Sequence, residues 1–156
     1  MVSLNMTLII NTHTVNNNMA TLTYDAVEIV KNLIQTKWSD IRPPNVSAIW
    51  DKRSVGFMDD RTDELIIYPK TENVNYFGIG GQAHWHEQML ELEIRTYQDI
   101  TRHNEVVKKV SQLIKDNLTG TNYADLRIIS SYSKNYLYRN MYSYILTLSI
   151  RKADPQ

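Results

Sequence analysis

The stretch LELEIRTYQDITRHNEVVKKVSQLIKDNL, residues 90–118, changes its hydrophobic period once. Up to Tyr97, apolar and polar residues alternate, which is the period of a strand with two different faces. From Thr101 onward the apolar residues recur every three or four positions, as in an amphipathic helix. The stretch therefore predicts a strand that ends at Tyr97 and a helix that runs from Thr101 or Arg102 to Leu118.

The same helical spacing recurs from about Asp25 to Trp38 and predicts the first helix. Asp25 and Glu28 have the spacing of a capping box, which satisfies free N–H groups of a first helical turn. The Pro43–Pro44 pair then prevents continuation, because proline has no amide hydrogen to donate. For the second helix, Gly120 stands where a left-handed C-terminal cap is expected.

Period-two alternation elsewhere predicts five strands. They are Val46–Trp50, Glu64–Tyr68, His84–Tyr97, Leu126–Ser131 and Met141–Lys152. The last strand would point Ser143, Thr147 and Ser149 outward, and such alternation is typical of antiparallel sheets with one wet face. The predicted fold is α+β, two amphipathic helices packed on a mainly antiparallel sheet, in the order α-β-β-β-α-β-β.

The predicted strand His84–Tyr97 is unusually long, about 46 Å at ~3.3 Å per residue, against a common length of 5–6 residues. Its expected partner, Leu65 to Tyr68, is short, and the connection from Pro69 to Ala83 is long. Either the first half of the long strand is a folded-back loop, or the hairpin projects beyond the domain. The projecting hairpin is favoured, which divides the chain into an N-terminal arm (residues 1–22) and one domain (residues 23–153), with 69–83 as the projecting connection.

Composition excludes several function classes. The 156 residues suit one domain, and 17 basic against 17 acidic residues give zero net charge, which disfavours nucleic acid as a partner. The chain has no cysteine, which excludes disulfides, thiolate metal sites and a cysteine nucleophile. No run approaches the ~20 apolar residues of a membrane span, and the N-terminus lacks the basic region of an export signal.

The charges are unevenly distributed along the chain. Acidic residues cluster at Asp59, Asp60, Asp63 and Glu64, whereas residues 126–152 contain only basic charges. Two interpretations stay open: a mixed solvated surface, or complementary faces that order repeated subunits by sign.

Two motifs resemble cofactor or metal sites. Gly78, Gly80 and Ala83 match the spacing of a dinucleotide-binding loop, but that loop requires a following helix, and the residues after it alternate as a strand does. His84 and His86 would share one strand face, as a metal site requires, whereas the neighbouring Glu87 would point to the other face. The sequence therefore predicts no cofactor and no metal, and the histidines are interpreted as polar residues, partly at an interface.

Catalytic patterns are also missing. Glu91 and Glu93 are paired carboxylates on one strand face, but Arg95 shares that face and no cleft is indicated, so solvated or ion-paired surface is the favoured interpretation. No phosphate-binding loop or nucleophile elbow occurs. We expect no enzymatic activity.

The aromatic residues indicate contact surfaces. The chain has ten tyrosines against two phenylalanines, and tyrosine suits interfaces because its ring is buried while its hydroxyl stays wet. A projecting hairpin would expose apolar side chains unless another chain covered them. The candidate subunit-interface residues are Tyr76, Phe77, Ile79, Trp85, Tyr136 and Tyr138.

Over residues 24–152 this layout resembles the tail-terminator and tail-completion (neck) proteins of long-tailed phages and related archaeal viruses. The resemblance lies in element order and hydrophobic pattern, above all in the run 90–118 followed by the final strand 142–151. It implies a homo-oligomeric ring, commonly a hexamer, that ends polymerisation of the tail tube and joins it to the head connector. The implied partners are further copies, the tail-tube protein and the head-completion protein, in a virion assembled in the host cytoplasm.

In that family a long hairpin or loop orders on assembly, and residues 69–83 would correspond to it. The N-terminal arm departs from the shortest members. Two alternatives remain: a head-closure or tail-tube protein of the same virion, and a small cellular ligand-binding or enzymatic α+β domain.

Overall fold

A computed structural model describes residues 18–39, 42–48, 63–77, 83–134 and 141–154. These residues form two helices and five strands in the predicted order, which confirms the α+β fold. The elements are α1 (Asn18–Lys37), β1 (Asn45–Ala48), β2 (Glu64–Phe77), β3 (Ala83–Tyr97), α2 (Ile100–Asp116), β4 (Asp125–Ser133) and β5 (Met141–Asp154).

The strands form one sheet in the order β1-β2-β3-β5-β4, and every neighbouring pair is antiparallel except β1 with β2. Both helices pack on the same face, α1 mainly over β1 and β2 and α2 over β3 and β4. Their apolar stripes meet the inward residues of the strands, because each amphipathic element can bury only that stripe. The central core residues are Val27, Val30, Ile34, Leu65, Ile67, Leu90, Leu92, Ile94, Val110, Ile114, Leu146 and Leu148.

Helix α1 begins earlier than predicted. It starts at Asn18, so the expected start at Asp25 is wrong, and residues 18–22, assigned to the N-terminal arm, are helical. Asp25 therefore caps no helix end. The helix ends at Lys37, one residue before the predicted end, and residues 1–17 of the predicted arm lie outside the described residues.

The junction between β3 and α2 is a tight connection. Gln98 has a φ of 60°, in the left-handed region, which turns the chain out of the sheet. Asp99 is the N-cap of α2, and its carboxylate accepts a hydrogen bond of 2.9 Å from the Arg102 amide. These two residues let a long strand pass directly into a helix.

The predicted role of Gly120 as a helix cap is wrong. Helix α2 ends at Asp116 with Asn117 as its C-cap, and the Gly120 amide donates to the Tyr123 carbonyl at 3.2 Å. A Cβ on Gly120 would lie 2.5 Å from Cε1 of Tyr123. Glycine is required here by the close approach of a ring, not by a helix terminus.

The long strand is confirmed, but its expected short partner is wrong. Strand β2 does not end at Tyr68; it continues to Phe77, which pairs with Ala83, so only residues 78–82 separate the two strands. Strand β5 accompanies β3 as far as the pair His84–Asp154. Most of residues 69–83 is therefore strand, and the long hairpin is part of a three-stranded sheet.

The expectation of one wet sheet face is wrong for the centre of the sheet. Ser143, Thr147 and Ser149, predicted to point outward, are buried, and so are Ile66 and Glu93 on the same side. This side, opposite the helices, is called the second face below. It combines buried small polar residues with a buried charge.

Candidate functional site

Strands β2, β3 and β5 continue together beyond the hydrophobic core. On β3, the last core residue toward the hairpin turn is Leu90, and the next inward positions are the buried polar residues Gln88 and His86. Residues 71–77, 83–88 and 151–154 make up this part, which we call the extension. Its β3 portion measures about 20 Å at ~3.3 Å per residue.

The predicted histidine–carboxylate group is divided between the two faces of the extension. His86 Nδ1 lies 3.5 Å from Glu72 Oε1 on the helix side. Glu87 points to the second face, as predicted, where it accepts hydrogen bonds from Ser149 Oγ at 2.7 Å and Arg151 Nε at 3.2 Å. No cluster of three or more potential metal ligands forms within the described ranges. The side chain of His84 lies outside what the structure describes.

The environment of Glu87 suits a stable anion. The hydrogen bond from Ser149 is the main cause that lowers the pKa of the Glu87 carboxyl, with a smaller contribution from Arg151, while partial burial acts in the opposite direction. Glu87 and Arg151 thus form a hydrogen-bonded pair on the second face.

A cavity of about 700 Å³ opens beside this pair, where β4 begins. Trp85 contributes its apolar wall, and Arg127 and Arg151 contribute charge. Both arginines are already ion-paired within the chain, Arg127 Nε with Asp125 at 2.8 Å and Arg151 with Glu87. The remaining lining residues are Leu118, Thr119, Ala124 and Asp125.

The outer edge of β4 is the most exposed apolar feature among the described residues. Ile129 and Tyr132 are 55% and 48% exposed. The Leu126 amide donates to the Leu118 carbonyl at 2.8 Å, which covers the beginning of this edge. We call residues 127–133 the β4 edge.

A buried polar cluster occupies the middle of the second face. Arg95 Nη2 donates to Glu93 Oε2 at 2.7 Å, and Tyr68 Oη donates to the same oxygen at 3.1 Å. Ser143 Oγ donates to Glu93 Oε1 at 2.7 Å. Burial acts to raise the pKa of Glu93, but the hydrogen bonds from Arg95, Ser143 and Tyr68 and the guanidinium charge outweigh it, so the pKa is lowered.

The paired carboxylates have separate partners. Glu91 forms an ion pair with Lys70, whereas Glu93 forms its pair with Arg95. The ion-paired interpretation is confirmed for both residues, and the solvated one is wrong for Glu93, whose side chain is 7% exposed.

The glycines of the dinucleotide-like motif, Gly78 and Gly80, lie outside the described residues. A strand, not the helix that such a motif requires, begins at Ala83.

Of the six predicted interface residues, Trp85 alone has a described side chain. Trp85 is half-buried and lines the cavity. Tyr76 and Phe77 occupy the last two positions of β2, and only their backbone is described. Ile79, Tyr136 and Tyr138 lie outside the described residues.

Sequence reasoning missed the exposure of Ile129. A register shift between Ile128 and Ser130 interrupts the pairing of β4 with β5, and alternation alone does not reveal such a bulge.

Neither described helix is long and apolar enough to cross a bilayer.

Comparison with known proteins gives structural likenesses but no sequence match. No protein-family model matches the chain, and no curated protein matches it. Among solved structures, the chain is similar to a chain of the "Virion of native gene transfer agent (GTA) particle". The alignment covers 86% of this chain and 91% of that one, with 12% identity and a TM-score of 0.47. A match at this level assigns no function.

Proposed function

We propose that the chain is a virion structural protein that forms a ring at the head-proximal end of a tail tube. There it ends tube polymerisation and joins the tail to the head connector. The observation that carries the proposal is the extension, in which three strands continue beyond the helix-covered core. The element order from α1 to β5 also agrees with the family that the sequence resembles.

The extension suits contacts between repeated subunits. A small domain that stands alone gains nothing from strands of 14 and 15 residues that outrun its core. In a ring, each subunit contacts the next through two different surfaces, and the rotation between them closes the circle. The extension with Trp85 and the β4 edge with Tyr132 are two such surfaces on one chain.

The proposed role requires no catalysis. The ionisable groups that sequence analysis singled out are engaged in pairs, Glu93 with Arg95, Glu91 with Lys70 and Glu87 with Arg151. Such pairs fix side-chain geometry without placing an acid or base against a substrate. We propose that the function lies in shape and surface, with other virion proteins as partners.

The decisive test removes the chain from the virus that encodes it. If the chain terminates the tube, virus made without it will produce free tails longer than the wild-type length and heads without tails. Restoring the chain from a plasmid returns the normal length. Tails of normal length that fail to join heads would instead identify a head-closure protein, and absence of tubes would identify a tube protein.

Purified protein gives a second, independent measurement. We expect light scattering after size-exclusion chromatography to show a ring, or negative-stain images to show one on tube ends. The proposal would be overturned if the protein is a monomer in solution and is also never detected at the neck of virions in negative-stain images.

One observation favours a second candidate, a small ligand-binding domain. The cavity at Trp85 falls within the ~300–1,000 Å³ range of small-molecule sites. Ligands that raise the melting temperature of the wild-type chain, with no effect on a Trp85→Ala variant, would support that candidate. Thr36→Ala, an exposed change on α1, is the control.

A further inference from the structure

We propose that the β4 edge accepts residues 2–10 of a second copy of this chain as an additional strand. The inference rests on the repeated-subunit arrangement of the proposed function, and it names the contact that joins neighbouring copies.

The β4 edge is only partly protected. Among the described residues, β4 is the last strand on its side of the sheet, and natural proteins guard such edges with charges, proline, bulges or a covering element. Residues 128–133, IISSYS, contain neither charge nor proline. Ile129 and Tyr132 are about half-exposed, so the edge presents side chains as well as backbone.

The backbone of this edge is available over about seven residues. Among the described residues, the one backbone hydrogen bond to its outer side from outside the sheet is that from Leu126 to Leu118, at its beginning. Beyond that point the edge runs about 23 Å at ~3.3 Å per residue. The bulge at Ile128 and Ser130 lies within it and sets a local twist that an added strand must follow.

Pairing of two β4 edges with each other is disfavoured. The antiparallel register that uses the whole uncharged stretch places Arg127 directly opposite Lys134 of the other copy, and the symmetry repeats this at both ends. Like charges directly opposite each other destabilise a strand pair. An uncharged strand avoids this repulsion.

The first seventeen residues have the composition of such a strand. No charged side chain occurs before Asp25, and residues 2–10 read VSLNMTLII. The even positions of this segment are all apolar, and three of the four odd positions are Ser, Asn or Thr. This is period-two alternation, and nine residues are enough to cover the seven-residue open edge.

The position of α1 favours exchange between copies. Helix α1 packs over β1 and β2, whereas β4 lies three strands beyond β2, about 14 Å at ~4.8 Å per strand. Helix α2 packs against β4 on that same face, so a route within one chain must also pass around it. Only residues 11–17 are available for the link, and seven residues span at most ~25 Å, which covers the ~14 Å across the strands but leaves little for the path around α2. A neighbouring copy can present its segment without that detour.

Cysteine cross-linking tests the proposal in the full chain, which has no cysteine of its own. Chains carrying Ser131→Cys are mixed with chains carrying Asn5→Cys, Thr7→Cys or Ile9→Cys, and the mixture is oxidised. We expect one of the three pairs to give a disulfide-linked heterodimer at least ten times more abundant than with Lys115→Cys in place of Ser131→Cys. Lys115 is exposed on α2, away from the edge.

The other outcomes are distinguishable. Exclusively intramolecular links in double-cysteine chains would overturn the exchange between copies, and so would predominant Ser131–Ser131 links. Rings that form without any link between segment and edge would overturn this inference and leave the proposed function intact. Links without rings would support the exchange and count against the ring.

Amide hydrogen exchange gives a readout that does not depend on a new side chain. In the assembled wild-type chain we expect amides of residues 128–133 to be protected. Deleting residues 1–10 should speed their exchange at least tenfold, while the amides of β5 stay protected and report an intact sheet. Unchanged exchange at the edge would overturn the inference.

Discussion

Arg102 Nε donates to Asp63 Oδ2 at 2.8 Å, and this bond joins the first turn of α2 to the residue that precedes β2. Arg102 Nη2 also donates to the Arg42 carbonyl at 2.8 Å, in the segment between the first helix and β1. Both members of the ion pair are largely buried, so the bond is little screened by solvent. One side chain thus connects three parts of the fold.

We expect Arg102→Ala to lower the free energy of unfolding by about 2 kcal/mol, because charge-assisted hydrogen bonds at a part-buried site contribute ~1.5–3 kcal/mol. Urea denaturation measures the change. Glu105→Gln is the matched control, since Glu105 lies 4.0 Å from the same guanidinium but is 65% exposed. Equal losses in the two variants would contradict a specific role for the Asp63 bond.

The Glu93–Arg95 pair predicts a large effect of charge removal. Glu93→Gln leaves a mostly buried guanidinium without its counter-charge, and breaking such a pair costs ~3–5 kcal/mol. Lys70→Gln removes the more exposed pair on the same sheet and should cost less than ~1 kcal/mol. Thermal or urea unfolding separates the two, and similar values would show that the cluster is solvated.

His103 predicts a pH dependence of stability. Its ring is buried, one ring nitrogen lies 2.8 Å from Thr96 Oγ1, and burial lowers the pKa of His103 against the opposing charge of Asp63. In the unfolded chain His103 has a pKa of ~6.5, and in the folded chain its pKa is lower. Below pH ~6.5 the unfolded chain therefore binds a proton that the folded chain does not, so the free energy of unfolding is highest above that pH and declines below it.

The decline is at most ~1.4 kcal/mol per pH unit for one proton. Unfolding free energies between pH 7.5 and 5.5 measure it, and the comparison of wild type with His103→Gln isolates the contribution of this ring. If both chains show the same slope over that interval, the histidine is not the titrating group.

Gly120 predicts a steric effect that a second change relieves. Gly120→Ala places a Cβ 2.5 Å from the Tyr123 ring and should lower stability by about 1–3 kcal/mol, the usual range for overpacking. In the background Tyr123→Ala the same change should be nearly neutral. A double-mutant cycle measures the coupling, and a zero coupling would contradict the close approach.

The spacing of hydrophobic residues predicted the helices and most strands, because the helix layer and the sheet layer each bury one regularly spaced apolar face in the core. Asp99 and Gln98 show what it could not predict: the cap and the left-handed turn depend on backbone geometry at single residues. The run from Lys70 to Asn75 is mostly polar and resembles a loop, yet it is strand because β3 offers pairing partners from Thr71 onward, after a register shift at Lys70. Sheet pairing outweighed local composition there.

The candidate site was predictable only in part. Trp85 stood out because a large aromatic residue on an over-long strand requires cover, and the structure places it at the cavity. The burial of Glu93 could not be predicted. Alternation tells which side of the sheet a side chain points to, but not whether neighbouring side chains cover it there. The exposure of Ile129 depends on a bulge at one position of β4, and no sequence pattern predicts where that bulge occurs.

Strand β5 lies between β3 and β4, and it comes after every other described element in the chain. During synthesis, β3 and β4 therefore cannot pair with β5 until residues 141–154 have left the ribosome. The domain completes its sheet in a single late step, and the surfaces that depend on that sheet come into existence only then. Until then β3 and β4 both present unpaired backbone edges, so this is the stage at which a nascent chain is most exposed to pairing with other chains.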